Sequence, residues 1–482
     1  MRTLPRLGAG VLAATLFLAA CSDSDDDADD AAVADAAASP DDTTSPAAAA
    51  PAGDGELINA FGDELPPLEV DIPTGPLAPE VVEDLDLLFA SLLDGVEPEP
   101  IQRLGESGDP RIAWLFADLL RFFQQGSTTE ALVTAFEGVT GTALPPGLRW
   151  GPVTDRLIAW DVPAPPDYVR WKRIPYEVIE PAWEPFFDDE DADVDWRLVS
   201  WGGVLIDDRS FDDIELPCPE GCIPALNDPV VTDAAGGDWY PDDRLVFGIV
   251  INGEARAYPR NIMEVHEMVN DTLGGRRIGV PYCTLCGAAQ AWLTDVDGDV
   301  SPLELRTSGL LSRSNKVMYE FNTFSVFDTF VGTALSGPLQ DEGVQLEQVP
   351  VVTATWADWK AAHPETTIVA EDGGLGRSYP LDPLGGRDDD GPIFPIGDVD
   401  QRLGAQDQVL GIVGPEGPVA FDVATATETL ASGGTVELAG VRVLSDGAGL
   451  VAELIDGGEA VSHQAFWFAW SQFHPTTELW VG

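Results

Sequence analysis

The residues best suited to chemistry are two cysteines at the end of a predicted strand. Residues 277–282 form a largely apolar run, and Cys283 and Cys286 follow it with two residues between them. A Cys-x-x-Cys pair at a strand end is compatible with a transition-metal site, in which both thiolates face one ion. It is also compatible with a redox dithiol or with a structural disulfide. The residues alone leave these three interpretations open.

A histidine on the preceding element could complete a site. Apolar residues at spacings of three and four predict a helix from Asn261, with His266 on the stripe that faces the core. This stripe comprises Ile262, Val265, His266, Val269 and Leu273. A buried histidine is more often a core residue than a ligand, but the nearby thiols favour a metal or redox site made of His266, Cys283 and Cys286.

The residues after the cysteines limit which cofactor the site could hold. Gly287 stands where covalent haem attachment requires a histidine, so a c-type haem is excluded. Residues 287–292 predict a short helix, whose N-terminus would favour thiolate at the cysteines. The cofactor is otherwise unidentified, with a transition metal as the candidate. The sequence does not decide whether the protein is an enzyme.

The start of the chain predicts export and a lipid anchor. Arg2 and Arg6 precede an apolar run that ends in Leu18-Ala19-Ala20-Cys21. This is the pattern of a signal peptide, residues 1–20, with lipidation of Cys21. The run is too short to span a bilayer, which needs about 20 apolar residues. Residues 21–55 are rich in Ala, Asp and Pro and predict a disordered tether, so we expect the protein on the extracytoplasmic face of the cell envelope.

Composition limits the partners. The chain has 83 acidic and 25 basic residues, for a formal net charge of -58. Nucleic acid is excluded as a partner because its recognition needs a basic patch. Such an acid excess is more typical of a saline habitat or a GC-rich genome than of a function. The membrane, reached through the lipid on Cys21, is the one partner predicted, and no protein partner is identified.

The rest of the chain predicts a helical part followed by a strand-rich part. Residues 56–150 have helical periodicity, and residues 104–111 resemble the turn of a HEAT-type repeat. A connector covers residues 151–195. Residues 196–370 and 371–482 share the pattern W-x-x-W-x-x-x-H-P-x-T, at Trp356 and at Trp467, which predicts two related lobes. The expected fold class is therefore α+β: a mixed, strand-rich domain in two lobes, preceded by a small all-α HEAT-like domain.

The motifs around the cysteines carry a family resemblance. They are Ala257-Tyr258-Pro259, His266-Glu267, Asn270-Asp271, Tyr282-Cys283-Thr284-Leu285-Cys286, Ser308-Gly309, Val317-Met318-Tyr319 and the Trp356 motif. In this order they resemble the bacterial domain-of-unknown-function 3179 family over about residues 196–480. Thr284 departs from the usual proline. The family brings no established reaction with it.

The resemblance implies where a site should lie. The family motif is built on the positions of His266, Cys283 and Cys286, which adds weight to a site there. Candidates for a surrounding polar shell are Glu267, Asn270, Arg306, Ser308, Arg313 and Asp328. Cys218 and Cys222 lie outside the family pattern, so this pair is a local addition that we predict to be a disulfide.

The functional hypothesis follows from these parts. We expect a lipid-anchored, extracytoplasmic protein that binds a transition metal or performs thiol redox chemistry at the His266, Cys283 and Cys286 site. The alternative is a non-enzymatic binding or scaffold lipoprotein in which the cysteines form structural disulfides.

Overall fold

The structure is a computed structural model, and it describes residues 56–482 except 148, 211–217, 219–220, 387–390 and 459. The predicted signal peptide, Cys21 and the tether lie outside the described residues. Within the described ranges, no helix has the length and apolar character needed to cross a membrane.

The described chain contains helices throughout, and the first seven of them make up most of its first part. In chain order they are α1 Pro79–Ala90, α2 Pro98–Gly105, α3 Ala113–Phe122, α4 Ser127–Thr140, α5 Trp150–Ala159, α6 Tyr168–Ile179, α7 Glu184–Asp188, α8 Arg260–His266, α9 Gly337–Asp341, α10 Trp356–Ala362, α11 Val423–Ala431 and α12 Trp467–Phe473. Proline at the first turn of α1 and α2 fits a position whose amide has no partner within the helix.

Short strands make up most of the remainder. They are β1 Val199–Trp201, β2 Leu226–Asn227, β3 Val231–Asp233, β4 Leu245–Ile251, β5 Glu254–Pro259, β6 Met268–Leu273, β7 Arg276–Cys283, β8 Ala288–Ala289, β9 Ala291–Leu293, β10 Leu305–Ser312, β11 Asn315–Glu320, β12 Val326–Phe327, β13 Glu347–Val349, β14 Val352–Thr355, β15 Thr367–Val369, β16 Gln408–Gly414, β17 Gly417–Asp422, β18 Val436–Leu438, β19 Val441–Ser445, β20 Leu450–Leu454, β21 Ser462–Phe466 and β22 Glu478–Trp480. The tight turn at Asn252-Gly253, with positive φ at both residues, joins β4 to β5 as a hairpin.

The strands of the described part form five small sheets. Their orders are β1-β10-β11-β12, β13-β9-β7-β6-β2, β14-β4-β5-β15-β3, β21-β16-β17-β22 and β18-β19-β20, and β8 pairs with β7 beside the second sheet. Most neighbouring strands are antiparallel, and the architecture is that of a five-bladed β-propeller of small sheets accompanied by helices. The predicted fold class, a two-lobed α+β domain behind an all-α HEAT-like domain, is therefore wrong, although the strand-rich character is correct.

The helices do not form an all-α core of their own. The largest apolar cluster joins residues of α1–α7 to Leu310 of β10, Val317 and Tyr319 of β11 and Val326 of β12. A buried ion pair also ties the helices to this sheet, because Lys172 donates to Asp118 at 2.5 Å and to the carbonyl of Val199 at 2.7 Å. Helical periodicity identifies a helix but not the element against which it packs, so the sequence could not reveal this shared core.

The repeated motif occupies matching places in two sheets. In the sheet of β4, the Trp359 indole donates to Thr366 at 2.9 Å; in the sheet of β16, Trp470 donates to Thr477 at the same distance. The neighbouring strand has a glycine in contact with each indole, and a Cβ at that glycine would overlap the ring. These glycines are Gly248 and Gly411. The echo seen in the sequence thus marks two sheets built with the same local contacts.

Candidate functional site

The two cysteines lie side by side at the end of the β6–β7 hairpin. Cys283 is the last residue of β7, and a single 3-10 turn, Thr284–Cys286, carries the second thiol. Both cysteines are free thiols. Each sulfur lies 3.5 Å from the carbonyl oxygen of Ser314, and Cys286 Sγ lies 3.6 Å from Asn315 Oδ1. Ser314, the residue before β11, therefore contacts both sulfurs through its carbonyl oxygen.

Gly287 closes this turn in a conformation that favours glycine. Its φ is +57°, and a Cβ there would come within 2.8 Å of Gln408 and 3.0 Å of the Phe466 ring. The sheet of β16 thus packs directly onto the thiol turn. The predicted helix over residues 287–292 is wrong, because β8 and β9 occupy this stretch. No helix N-terminus is present there to favour a thiolate.

A lysine and a glutamate lie next to the thiols. Lys316 on β11 is buried, and its Nζ donates to the backbone carbonyl of Glu267 and to Thr307 Oγ1. Nζ is also 3.7 Å from Glu267 Oε2. Burial lowers the pKa of Lys316, while the charges of Glu267 and Cys283 act to raise it. The ammonium is thus within electrostatic reach of the Cys283 sulfur.

The two thiols differ in environment. Cys286 is fully buried, whereas Cys283 keeps 4% of its surface exposed. Burial raises the pKa of Cys286 well above its usual value, and a hydrogen bond with Cys283 and the charges of Cys283 and Glu267 raise it further. Cys286 is therefore held as a thiol. Both thiols belong to one core cluster, and the pair is asymmetric in its charged neighbours, with Lys316 interacting with Cys283 and Glu267 with Cys286.

His266 lies in the core, as predicted, but it bonds to other groups. Its Nδ1 is 2.8 Å from the carbonyl of Pro224, and its Nε2 is 2.7 Å from the Tyr379 hydroxyl. Burial lowers its pKa to about 4, so the ring is neutral at pH 7. The predicted helical stripe is wrong beyond His266, since α8 ends there. Glu267 turns the chain at a φ of +52°, and Val269 and Leu273 belong to β6.

Three residues of the predicted polar shell join strands and loops of the scaffold. Asn270 bridges β6 to β10, donating to the carbonyl of Leu305 and accepting from its amide. Arg306 donates to the carbonyls of Asp207 and Arg209. Ser308 donates to the carbonyl of Val317 at 2.6 Å and accepts from the Leu310 amide, where β10 is irregular. Glu267 is the member of the shell that lies at the thiols.

The remaining two, Arg313 and Asp328, line a cavity beside the thiols. The cavity has a volume of about 300 Å³, and Asn315 and Lys316 form part of its wall. Arg313 donates to the carbonyl of Gln472. Asp328 accepts from two amides in its own turn, and burial raises its pKa. The cavity therefore reaches two neighbours of the thiols, Asn315 and Lys316, while neither cysteine lines it.

Lys316 was missing from the residues proposed from the sequence. A signal was present, since the chain has only three lysines and one of them directly precedes the apolar run Val317-Met318-Tyr319. All six residues of β11 are buried, and a buried lysine requires a partner. Nothing in the local sequence pointed to Glu267 as that partner.

The structure does not assemble a metal site from the predicted ligands. Among the described residues, no group of three or more His, Cys, Asp or Glu side chains is placed to hold an ion. Both ring nitrogens of His266 are engaged elsewhere, so the two sulfurs lack the third ligand the sequence suggested. The predicted disulfide between Cys218 and Cys222 is confirmed.

The site thus defines the class: a strand-rich protein with a buried, asymmetric dithiol. Residues 220–455 match the model of the family described as "Protein of unknown function (DUF3179)", which supports placing this part of the chain in that family. The match contains His266, Cys283 and Cys286. Comparison with curated proteins and with solved structures yields no match.

Proposed function

We propose that this is a lipid-anchored, extracytoplasmic thiol–disulfide redox protein whose reactive groups are Cys283 and Cys286. The observation that carries the proposal is the pair of free thiols beside the Lys316 ammonium. A purely structural pair would not need a buried cation next to one sulfur, and a buried cation is costly to keep. Thiolates are the reactive form of cysteine, and a neighbouring lysine favours them.

The proposed step reduces a disulfide, R–S–S–R. The Cys283 thiolate attacks one sulfur, so that the R–S–S–R bond breaks and a mixed disulfide forms at Cys283. The departing thiolate takes up one proton and leaves as R–SH. Cys286 then loses its proton and attacks Cys283, which releases the second R–SH and leaves a Cys283–Cys286 disulfide. Two electrons pass from the dithiol to the substrate, and the two protons end on the products.

The environment of each thiol agrees with its role in this step. Cys283 is the thiol that interacts with the charge of Lys316, as suits an attacking thiol. Cys286 is buried and stays protonated, as suits a second thiol that acts only on the mixed disulfide. Glu267 holds Lys316 in place through its backbone carbonyl and its carboxylate.

The proposed location rests on the first residues of the chain, which lie outside the described residues. A lipid on Cys21 would place the domain where disulfide substrates occur, and the Cys218–Cys222 disulfide agrees with an oxidising compartment. Mass spectrometry of the N-terminal peptide tests this part by itself. An unmodified N-terminus or an intact signal peptide would contradict it.

Trapping of the mixed disulfide tests the chemistry. Reduced protein is mixed with 2-hydroxyethyl disulfide, and the adduct mass and position are measured. Cys286→Ser should accumulate an adduct on Cys283, whereas Cys283→Ser should form little or none. The double variant Cys218→Ser/Cys222→Ser is the control and should behave as wild type. If neither single variant is modified, or if the folded protein holds a Cys283–Cys286 disulfide that dithiothreitol cannot reduce, a structural role is correct.

A further inference from the structure

A second cavity lies between the first part of the strand-rich region and the sheet of β16. It has a volume of about 210 Å³, and its walls include Trp292, Phe330, Gln348, His463, Trp470 and His474. The Phe330 ring meets the His463 ring edge-on at 5.3 Å, and His474 lies 4.2 Å from the Trp470 ring centre. We call it the His463 cavity. Five of the twelve described lining residues thus carry an aromatic or imidazole ring, which suits another flat ring.

The His463 cavity carries no formal charge. None of the described residues that line it is Asp, Glu, Lys or Arg, in a chain with 83 acidic residues. Burial lowers the pKa of His463 to about 3 and that of His474 to about 4, so both rings are neutral at pH 7. A charged ligand would lose its hydration there and gain no ion pair. The cavity therefore favours an uncharged ligand.

Two residues that line this cavity each have a buried ring nitrogen without a hydrogen-bond partner. Trp292 Nε1 and His463 Nε2 are both buried without a hydrogen-bond partner, and the two residues are only 2% and 3% exposed. His463 Nδ1 lies 3.1 Å from the Gln348 amide nitrogen. With that amide as donor, Nδ1 accepts and Nε2 carries the hydrogen. A buried donor without a partner is costly, so a ligand that supplies an oxygen acceptor would be stabilised.

The internal repeat shows that the fold does not require a histidine at this position. His463 on β21 pairs with Gly411, and in the matching sheet Val352 on β14 pairs with Gly248. Each of these residues lies four positions before the first tryptophan of the repeated motif. The same strand position therefore folds with an apolar residue in one sheet and carries an imidazole in the sheet that borders the cavity.

We propose that the His463 cavity binds a small, uncharged aromatic molecule with an oxygen acceptor such as a carbonyl group. The ring would stack among Phe330 and Trp470, and the oxygen would accept from Trp292 and His463. The volume suffices, since a cavity of about 150 Å³ accepts benzene. This site is separate from the dithiol, so the inference does not depend on the proposed redox function.

Benzamide, a neutral ring with a carbonyl, is a suitable probe. The full mature protein is labelled with 15N at the tryptophan indoles, and Trp292→Phe assigns the Trp292 signal. We expect benzamide to shift this signal saturably, with millimolar or tighter affinity, and cyclohexanecarboxamide and benzoate to bind more weakly. No saturable shift up to the solubility of benzamide would overturn the proposal, as would equal binding of all three probes.

Two variants test the assigned donors by calorimetry. His463→Val copies the residue of the matching sheet and should weaken benzamide binding about fivefold to tenfold, as expected for one hydrogen bond. Val352→Thr, at the equivalent position away from the cavity, should leave it unchanged. Trp292→Phe keeps a ring, loses the donor and should also weaken binding, which keeps the test valid if His463→Val fails to fold. Unchanged affinity in Trp292→Phe and in any folded His463→Val protein would overturn the assignment.

Discussion

The ammonium of Lys316 lies 3.7 Å from the carboxylate of Glu267, and both residues adjoin the Cys283–Cys286 pair. Lys316 comes from β11 and Glu267 from the turn between α8 and β6, so two distant parts of the sequence place opposite charges beside the thiols. The charge of Cys283 acts on Lys316, and the charge of Glu267 acts on Cys286 and on Lys316. The reactivity of the dithiol should therefore depend on the balance between these two charges.

Removal of the Lys316 charge and removal of the Glu267 charge should change the reactivity of Cys283 in opposite directions. Lys316→Met should slow the alkylation of Cys283 several-fold, because a neighbouring cation favours the reactive thiolate. Glu267→Gln should accelerate it. The measurement is the rate of iodoacetamide reaction, followed by mass spectrometry between pH 5 and 10.

A surface variant serves as the control for this pair. Lys360→Met removes a lysine that pairs with Asp242 at the surface and should leave the profile unchanged. A general loosening of the fold would raise the alkylation rate in both site variants. Shifts of the same sign in Lys316→Met and Glu267→Gln would therefore show that the two charges do not act on Cys283.

The neutral, buried state of His266 should make the protein less stable in mild acid. Burial lowers the pKa of His266 to about 4, compared with about 6.5 in the unfolded chain. The unfolded state therefore binds the proton first. The contribution of His266 is complete above pH 6.5 and is lost as the pH falls from about 6.5 to about 4, to a maximum on the order of 3 kcal/mol.

Urea unfolding at several pH values measures this contribution. His266→Gln removes the titrating group, so its stability should fall less steeply than that of the wild type between pH 6.5 and 4. The comparison with wild type removes the effect of the many carboxylates, which titrate in both proteins. Parallel curves for the two proteins would contradict the assigned state of His266.

Local patterns in the sequence predicted much of what is local in the structure. The strand before Cys283 and the repeated tryptophan motif both follow from residues close together in the chain. Each depends on composition or spacing, which act over a few residues. The helices of the first part were predicted for the same reason.

Features that depend on distant residues were not predictable in this way. The five sheets join strands far apart in sequence; for example, β1 pairs with β10 and β14 with β4. The contact of Lys316 with Glu267 crosses 49 residues. The end of α8 at His266 is set by the pairing of β6 with β7, which overrides a helical pattern that continues to Leu273. Spacing thus identified the thiols but could not supply their neighbours.

The glycines beneath the repeated indoles should be intolerant of even one added methyl group. Gly248→Ala and Gly411→Ala would each force a Cβ into the ring of Trp359 or Trp470. We expect each to cost about 1–3 kcal/mol, as overpacking does in a well-filled core. Gly151→Ala is the control, since its Cβ would meet nothing within 4 Å. Urea midpoints at unchanged slope measure the effect, and a neutral Gly411→Ala would show that the indole does not lie on the strand as described.

The buried Lys172–Asp118 pair should be essential for the packing of the helices against the sheet of β1. Asp118 accepts from Lys172 and from the Tyr168 hydroxyl, and Lys172 also donates to the Val199 carbonyl on β1. Burial lowers the pKa of Lys172 and raises that of Asp118, so the charged pair depends on both members being present.

Removal of one member of this pair should therefore be worse than removal of both. Asp118→Asn leaves the ammonium of Lys172 buried without a counter-charge and should cost about 3–5 kcal/mol in the free energy of unfolding. Asp118→Leu/Lys172→Met leaves no buried charge and should cost less than the single variant. Asp242→Asn breaks the exposed pair with Lys360 and should change stability by less than about 1 kcal/mol. If Asp118→Asn proved as mild as Asp242→Asn in urea unfolding, the pair would not join the helices to the sheet.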